Sequence, residues 1–313
     1  MTEVHHQEAA ARQATNAGDD AQPARVLAAS VGHLLEDAER THLGQLRQLR
    51  SRLQSAAFAW DNALLAHAVE VFLAASRELV FQPLRERCFW PRLTGATEAA
   101  ARAFGRKYDE VLGAASRARH EFEMLSRDDR AHTSSARKLI VELDMEYRDL
   151  DREIDQGAEW LVELSYAIEK AQPLCALSAR AMALSGRLKR ARQASALARD
   201  ITILGHNVLE RRAVLLERVK IDLQGFDKVW LPRVANIRAK AADQRFPPPV
   251  LDKAREVHAE LITRLELTSA ACLALQMDEQ AMARGLAMLR DCLEPGKPIA
   301  GSSAASRTRS GAG

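Results

Sequence analysis

Five basic side chains close together in the second half of the chain are its most suggestive chemical feature. Guanidinium and ammonium groups in a row along a helix can neutralise phosphates, which is typical of a surface that contacts a nucleic-acid backbone. No aromatic side chains interleave with them to stack on bases, and an acidic segment lies beside them in the sequence, so we do not expect nucleic acid as a partner. This basic face consists of Arg187, Lys189, Arg190, Arg192 and Arg199.

The other reactive side chains form no catalytic or metal-binding pattern. His42 and His67 lie on an apolar stripe, where a histidine without a second ligand at helical spacing is more often hydrogen-bonded in a core than bound to a metal. The charged run 127–132 is interpreted as a solvated loop between two helices. The cysteines are far apart and form no CxxC pair, which is typical of free thiols in a reducing cytoplasm: Cys88, Cys175, Cys272 and Cys292.

The motifs of common nucleotide-binding and hydrolytic sites are also missing from the sequence. It contains no P-loop, no GxGxxG between a strand and a helix, no HExxH and no GxSxG. Its many Asp and Glu residues lie among Arg residues on helix faces, which is typical of a solvated surface rather than of an acid–base pair. We therefore expect a protein that is not an enzyme and has no catalytic residue, cofactor or metal.

The acidic segment beside the basic face carries a regular apolar stripe. Between residues 134 and 171, ten Asp and Glu accompany five Lys and Arg, and apolar residues recur at alternating steps of three and four. This spacing keeps one stripe of a helix facing a partner helix, as in a coiled coil. The predicted helix-pairing seam is Ile140, Leu143, Tyr147, Leu150, Ile154, Leu161, Leu164 and Ile168, with Gly157 leaving one position unfilled.

The following segment has the opposite charge. Residues 172–240, here called the basic arm, hold fourteen basic and five acidic residues. Residues 134–171 are the acidic arm, and Pro173 marks the break between the two arms. An acidic helix followed by a basic helix predicts that the two arms pair as a hairpin. At its end, residues 225–240 mix Phe226, Trp230 and Leu231 with basic residues. That mixture suits either a kinked helix packed in a bundle or a helix on an anionic membrane surface.

Helical periodicity covers most of residues 24–293, without an alternating strand pattern. We predict an all-α fold, an elongated antiparallel helical bundle with a coiled-coil hairpin and disordered tails. The N-terminal stripe is predicted to be Leu35, Ala38, His42, Leu46, Leu49, Leu53, Ala56, Trp60, Leu64, His67 and Val71. Prolines and runs of polar residues mark the predicted boundaries of the segments. The predicted segments are an N-terminal tail at 1–23, N-terminal helices at 24–126, the long hairpin at 127–246, a C-terminal helix at 247–293 and a C-terminal tail at 294–313.

Composition limits the cellular setting. The formal net charge is a modest +3, and no run of about 18 apolar residues is present, so no spanning helix is expected. The first residues are polar and lack the apolar core of a secretory signal. We expect a cytoplasmic protein, with a position at the inner face of the membrane as the alternative.

Three short elements along the arms resemble a known family. They are Leu150-Asp151-Arg152-Glu153-Ile154-Asp155, then Leu209-Glu210-Arg211-Arg212, then Ile221-Asp222-Leu223-Gln224. Their order resembles the TelA-like toxic-anion (tellurite) resistance proteins, over about a third of the chain. After Gln224 the chain departs from the family pattern, with Gly-Phe-Asp-Lys-Val-Trp in place of an Ala-Pro-Gln-Ile-Arg-like run.

The resemblance implies a cytoplasmic, all-helical bacterial protein linked to oxyanion resistance or envelope stress, and it implies no catalytic residue. We therefore expect a non-enzymatic scaffold or accessory protein in toxic-anion resistance. The alternative is a coiled-coil adaptor unrelated to oxyanions that binds other proteins or a membrane surface. Protein partners are expected, and self-association is left open.

Overall fold

The computed structural model describes residues 22–58, 62–84, 96–170, 175–241 and 246–294. The chain is all-α, as predicted, and the described residues form no β-strand. The predicted tails lie almost entirely outside these ranges, but the first helix already includes Gln22 and Pro23.

Long helices make up most of the described chain. In order these are α1 (Gln22–Ala38), a first π-helix (Glu39–Leu43), α2 (Gly44–Phe58), α3 (Ala63–Glu78), a 3-10 turn (Gln82–Leu84), α4 (Ala96–Lys170), α5 (Cys175–Gly225), a second π-helix (Phe226–Trp230), α6 (Leu231–Lys240) and α7 (Pro248–Leu293). Pro232 is the second residue of α6, which directly follows the second π-helix.

The predicted loop at 127–132 is wrong, because α4 continues through it without interruption. Ser126 and Asp129 have the spacing of a capping box, which would start a new helix after the loop. Asp129 instead accepts a hydrogen bond from the Thr133 hydroxyl one turn later and is bound by an arginine of α5. A run of charged residues therefore continues the helix, with one of its carboxylates used inside the fold.

The N-terminal stripe keeps its predicted register only as far as α2. Leu35, Leu46 and Leu53 are buried, but Leu64 and His67 on α3 are exposed. The buried face of α3 is offset by one position and consists of Leu65, Ala66, Ala68, Val69, Phe72, Leu73 and Ser76. The predicted stripe assumes the same helical register on both sides of the break between Phe58 and Ala63. After this break, a different set of positions is buried.

The chain divides into two compact units, and each is made of separate stretches. Unit 1 comprises Met1–Ser55, Lys138–Gly205 and Met282–Gly313, and unit 2 comprises Ala56–Arg137 and His206–Ala281. The predicted sequential boundaries, including those of the 127–246 hairpin, are therefore not the boundaries of these units, because α4, α5 and α7 each contribute to both.

The core of each unit is built from helices that are far apart in the sequence. In unit 1, α1 and α2 pack with the second half of α4, the first half of α5 and the end of α7. In unit 2, α3 packs with the first half of α4, the second half of α5, α6 and the part of α7 before Met282. In unit 1, Leu188, Ser195 and Gly205 of α5 lie against Gly157, Asp151 and Ile140 of α4. In unit 2, Arg212 of α5 bonds Asp129 of α4, and Asp227 of the second π-helix bonds Arg119 of α4. In both units residue numbers rise along one partner as they fall along the other, so the two segments run antiparallel.

Candidate functional site

The predicted seam lies on the face of α4 that packs on α5 in unit 1. The six seam residues that are buried are Ile140, Leu143, Tyr147, Leu150, Ile154 and Leu164. Leu161 and Ile168, nearer the end of α4, are half-buried. The gap expected at Gly157 is filled from outside the seam, because a Cβ there would lie 3.3 Å from Leu188 Cδ1 and 3.5 Å from Leu34 Cδ2.

The packing of α4 on α5 in unit 1 is not accompanied by ion pairs between the acidic arm and the basic face within the described ranges. Glu142 of the acidic arm instead pairs with Arg52 of α2 at 3.2 Å, and Glu146 and Glu153 contact His42 of the first π-helix. The direct polar link between the arms is the Ser195 hydroxyl, which donates to Asp151 Oδ1 at 2.5 Å. The arms are thus held together by apolar packing and a serine.

The basic face is divided between packing and solvent. Arg187 is half-buried and forms a two-pronged ion pair with Glu39, with Nε–Oε1 at 2.9 Å and Nη2–Oε2 at 3.0 Å. Arg190 is half-buried, and its carbonyl accepts a weak hydrogen bond from Cys292 Sγ at 3.7 Å. Lys189, Arg192 and Arg199 are exposed and have no ion-pair partner in the part of the chain that the structure describes. The predicted basic face is therefore three solvated cations and two packed ones.

His42 is held between two carboxylates of α4 in unit 1. Its Nδ1 lies 2.7 Å from Glu146 Oε1 and its Nε2 lies 3.2 Å from Glu153 Oε1, while only 13% of its side chain is exposed. Burial alone lowers the pKa of His42, but hydrogen bonds and charges from Glu146 and Glu153 outweigh it and raise the pKa above the usual 6.5. Because both ring nitrogens face acceptors, the imidazolium is the form that fits. The expectation of a hydrogen-bonded core histidine is correct here and wrong for the exposed His67.

The thiols within the described ranges, Cys272 and Cys292, are free, as expected. Burial raises the pKa of the Cys272 thiol to about 11, so it is protonated at neutral pH. Burial also raises the pKa of Cys292. The side chains of the other two cysteines lie outside what the structure describes.

Arg212 of α5 is a buried arginine in unit 2 that the sequence patterns did not predict as a site residue. Only 2% of the Arg212 side chain is exposed, and its Nε donates to Asp129 Oδ1 at 2.7 Å. Its Nη1 donates to Asn62 Oδ1 at 2.9 Å, and Asn62 in turn donates to Glu279. This arginine cluster joins α3, α4, α5 and α7. Its polar groups are bonded to each other, as buried charges require.

A second polar contact stabilises the aromatic core of unit 2. The Trp230 indole N–H donates to His258 Nδ1 at 3.0 Å, and His258 Nε2 donates to the Ser76 carbonyl oxygen at 2.9 Å. Burial lowers the pKa of His258, which keeps the ring neutral in this arrangement. Trp230 also stacks between Tyr108 and Phe226, at centroid distances of 5.8 and 4.7 Å. Both ring nitrogens of His258 are therefore engaged in hydrogen bonds within the core.

An open groove lies between α5 and α7 on the surface of unit 2. It has a volume of about 500 Å³ and is lined by Val214, Glu217, Arg218, Ile221, Asp222, Arg264 and Leu267. Three of its apolar side chains are well exposed: Val214 at 56%, Ile221 at 49% and Leu267 at 55%. They lie outside the buried stripes of their helices, and that is the signal in the sequence that could have identified them.

Three of the four charged residues of the groove have their polar partners just outside its lining. Buried Asp222 accepts a hydrogen bond from the Thr268 hydroxyl at 2.6 Å. Burial raises the pKa of Asp222, while this hydrogen bond and the charges of Arg264 and Arg218 act in the opposite direction. Glu217 pairs with Lys220 at 3.0 Å, and Arg264 pairs with Glu260. Arg218, half-buried, makes no hydrogen bond or ion pair with the residues that the structure describes.

The fold and these sites define an all-α protein built of helical-bundle units. Comparison with protein-family models gives no match, and comparisons with curated proteins and with solved structures give none either. Within the described ranges, no three His, Cys, Asp or Glu side chains come together as a metal site. No helix of the described chain combines the length and the apolar character needed to cross a membrane.

Proposed function

We propose that this chain is a non-enzymatic helical scaffold that binds another protein, and that its cellular role lies in toxic-anion (tellurite) resistance or envelope stress in the bacterial cytoplasm. The observation that carries the binding role is the groove between α5 and α7. There Val214, Ile221 and Leu267 are about half exposed on adjacent helices. A contiguous apolar patch rimmed by charge is the usual mark of a protein-binding surface.

The buried polar groups support a structural role for the rest of unit 2. Arg212 donates to Asp129 and Asn62, both ring nitrogens of His258 are hydrogen-bonded, and Asp222 accepts a hydrogen bond from the Thr268 hydroxyl. A general base needs a free lone pair within reach of a substrate, and neither ring nitrogen of His258 offers one. Networks of this kind rigidify a bundle and fix its packing. A rigid bundle presents the groove in one shape.

The resemblance of the arms supplies the cellular setting of the proposal. Two of its elements fall at the features described in unit 2. The Leu209–Arg212 element contributes the buried Arg212, and the element that begins at Ile221 contributes Ile221 and Asp222 to the groove. In the proposed resistance scaffold, the arginine cluster and the groove are therefore the working parts.

The alternative function is an adaptor at a membrane surface. Its best candidate was the amphipathic segment 225–240, but Phe226 and Trp230 are buried in the aromatic core of unit 2. The apolar surface that an interfacial helix inserts into lipid is therefore already used in packing. This favours a protein partner over a lipid surface for that segment.

Three measurements separate these functions. A host strain lacking this gene should grow less well than wild type over a range of tellurite concentrations, and growth equal to wild type would contradict the resistance role. The purified chain should leave tellurite unchanged in a cell-free assay, and turnover would favour an enzyme. The chain should not float with anionic phosphatidylglycerol vesicles, and flotation would favour the membrane adaptor.

A further inference from the structure

Arg218, which makes no hydrogen bond or ion pair with the residues that the structure describes, lies in the apolar groove of unit 2. Arg218 is half-buried against the groove, whereas the neighbouring Glu217 and Arg264 pair with Lys220 and Glu260. The positive charge of Arg218 acts on Asp222, but Asp222 accepts its close hydrogen bond from the Thr268 hydroxyl. A guanidinium that has lost part of its hydration and gained no hydrogen-bonded anion in exchange is a ready site for an incoming carboxylate.

The apolar side chains of the groove have the spacing of a helix-binding surface. Val214 and Ile221 are seven residues apart on α5, a rise of about 10 Å or two turns. Leu267 faces the same groove from α7. Two helices with an open furrow between them receive a third helix through apolar anchors one and two turns apart. Arg218 lies between Val214 and Ile221 in the sequence of α5, on the same side of the helix.

We propose that the groove binds an amphipathic helix of a partner protein whose apolar side chains contact Val214, Ile221 and Leu267 and whose Asp or Glu pairs with Arg218. This inference rests on the proposed scaffold function and names the chemistry of its partner. The apolar anchors supply affinity, and the carboxylate fixes the register and direction of the bound helix. A charge-assisted pair at a partly desolvated site contributes about tenfold or more in affinity.

The test places a photo-crosslinking amino acid, p-benzoylphenylalanine, at residue 221 of the full chain in its host cell. The matched control carries it at residue 203, because Ile203 is an equally exposed isoleucine on α5 outside the groove, at 54% compared with 49% for Ile221. Crosslinked peptides are identified by mass spectrometry. The capture is then repeated with Arg218→Glu and with Arg192→Glu, a charge reversal at an exposed arginine of α5 in unit 1.

The expected result is a crosslink from residue 221, absent from residue 203, to one helical segment with apolar residues three or four apart and an acidic residue among them. Arg218→Glu should reduce this crosslink at least about tenfold, and Arg192→Glu should not. Replacing the partner's acidic residue by Arg should restore capture by the Arg218→Glu chain. Equal circular dichroism melts of the two variants exclude misfolding as the cause.

Other outcomes overturn the inference in distinguishable ways. A protein crosslink that does not respond to Arg218→Glu rejects the acidic helix and leaves the scaffold function in place. A crosslink to a second copy of this chain, or to lipid, rejects the partner class. Equal crosslinking from residues 221 and 203, or none from either, rejects both the inference and the groove as the binding surface of the proposed scaffold.

Discussion

Gly205 of α5 faces Ile140 of α4 so closely that a Cβ on the glycine would lie 2.7 Å from Ile140 Cδ1 and 3.0 Å from its Cγ1. Ile140 is the first residue of the predicted seam and is 1% exposed. The absent side chain of Gly205 thus makes room for a large aliphatic one on the opposing helix, and this is how the two arms come into contact at that level.

Alanine at this glycine should destabilise the protein, although alanine normally stabilises a helix. In Gly205→Ala the gain in helix propensity, up to about 1 kcal/mol, is offset by overpacking against Ile140, which costs about 1–3 kcal/mol. Gly186 of α5 has nothing within 4 Å of the same position, so Gly186→Ala should stabilise by about 0.5–1 kcal/mol. Thermal melts followed by circular dichroism should move in opposite directions. Equal shifts would mean that α4 and α5 are not packed at this point.

The seam should be far more sensitive to charge than the solvent side of the same helix. Ile154 is 2% exposed and Val162 is 71% exposed, both on α4. Ile154→Asp loses a buried aliphatic side chain, at about 2–5 kcal/mol, and also buries a carboxylate. Val162→Asp should stay within about 0.5 kcal/mol of wild type. Urea unfolding midpoints measure the difference, and similar midpoints would show that the predicted seam faces solvent.

Two adjacent arginines should differ sharply in their contribution to stability. Arg212→Ala removes the guanidinium that pairs with Asp129 and donates to Asn62, and breaking a buried pair costs about 3–5 kcal/mol. Arg211 is 52% exposed and pairs with Asp278 at 3.0 Å, so Arg211→Ala should cost about 0–1 kcal/mol. Denaturant unfolding of both variants provides the comparison. A loss for Arg212→Ala no larger than for Arg211→Ala would remove the arginine cluster as a core element.

The His42 contacts should make unit 1 less stable at alkaline pH. The folded-state pKa of His42 is raised above 6.5, so its contribution is fully present below about pH 6.5 and is lost as pH rises through the raised value. The difference in melting temperature between wild type and His42→Gln should therefore be larger at pH 6 than at pH 9. A difference that is constant over this range would show that His42 is neutral in the folded protein.

Local periodicity was enough to predict the helices and much of their buried faces. Steps of three and four place Leu143 and Leu150 on the buried side of α4, and the same rule places Leu265 and Leu275 on that of α7. Pro173 falls between the end of α4 at Lys170 and the start of α5 at Cys175, where the prediction put the break.

Features that depend on distant residues could not be predicted in this way. Asp129 resembles a surface cap until Arg212, 83 positions away, is known to bind it. The phase of α3 changes after a break that has no periodic signal, which exposes His67 and buries Leu65. The groove forms because Ile221 and Leu267 lie on neighbouring helices. The periodicity of one helix does not indicate which other helix lies beside it.

The most direct test of the proposed function is growth on tellurite of the deletion strain complemented with groove variants. Ile221→Asp places a charge in the groove, and Ile203→Asp places the same charge at an equally exposed isoleucine of α5 in unit 1. Both proteins should melt within a few degrees of wild type, because both sites are surface positions. We expect the wild-type gene and Ile203→Asp to restore tolerance and Ile221→Asp to fail. Full tolerance with Ile221→Asp, or a deletion strain as tolerant as wild type, would contradict a resistance scaffold that works through this groove.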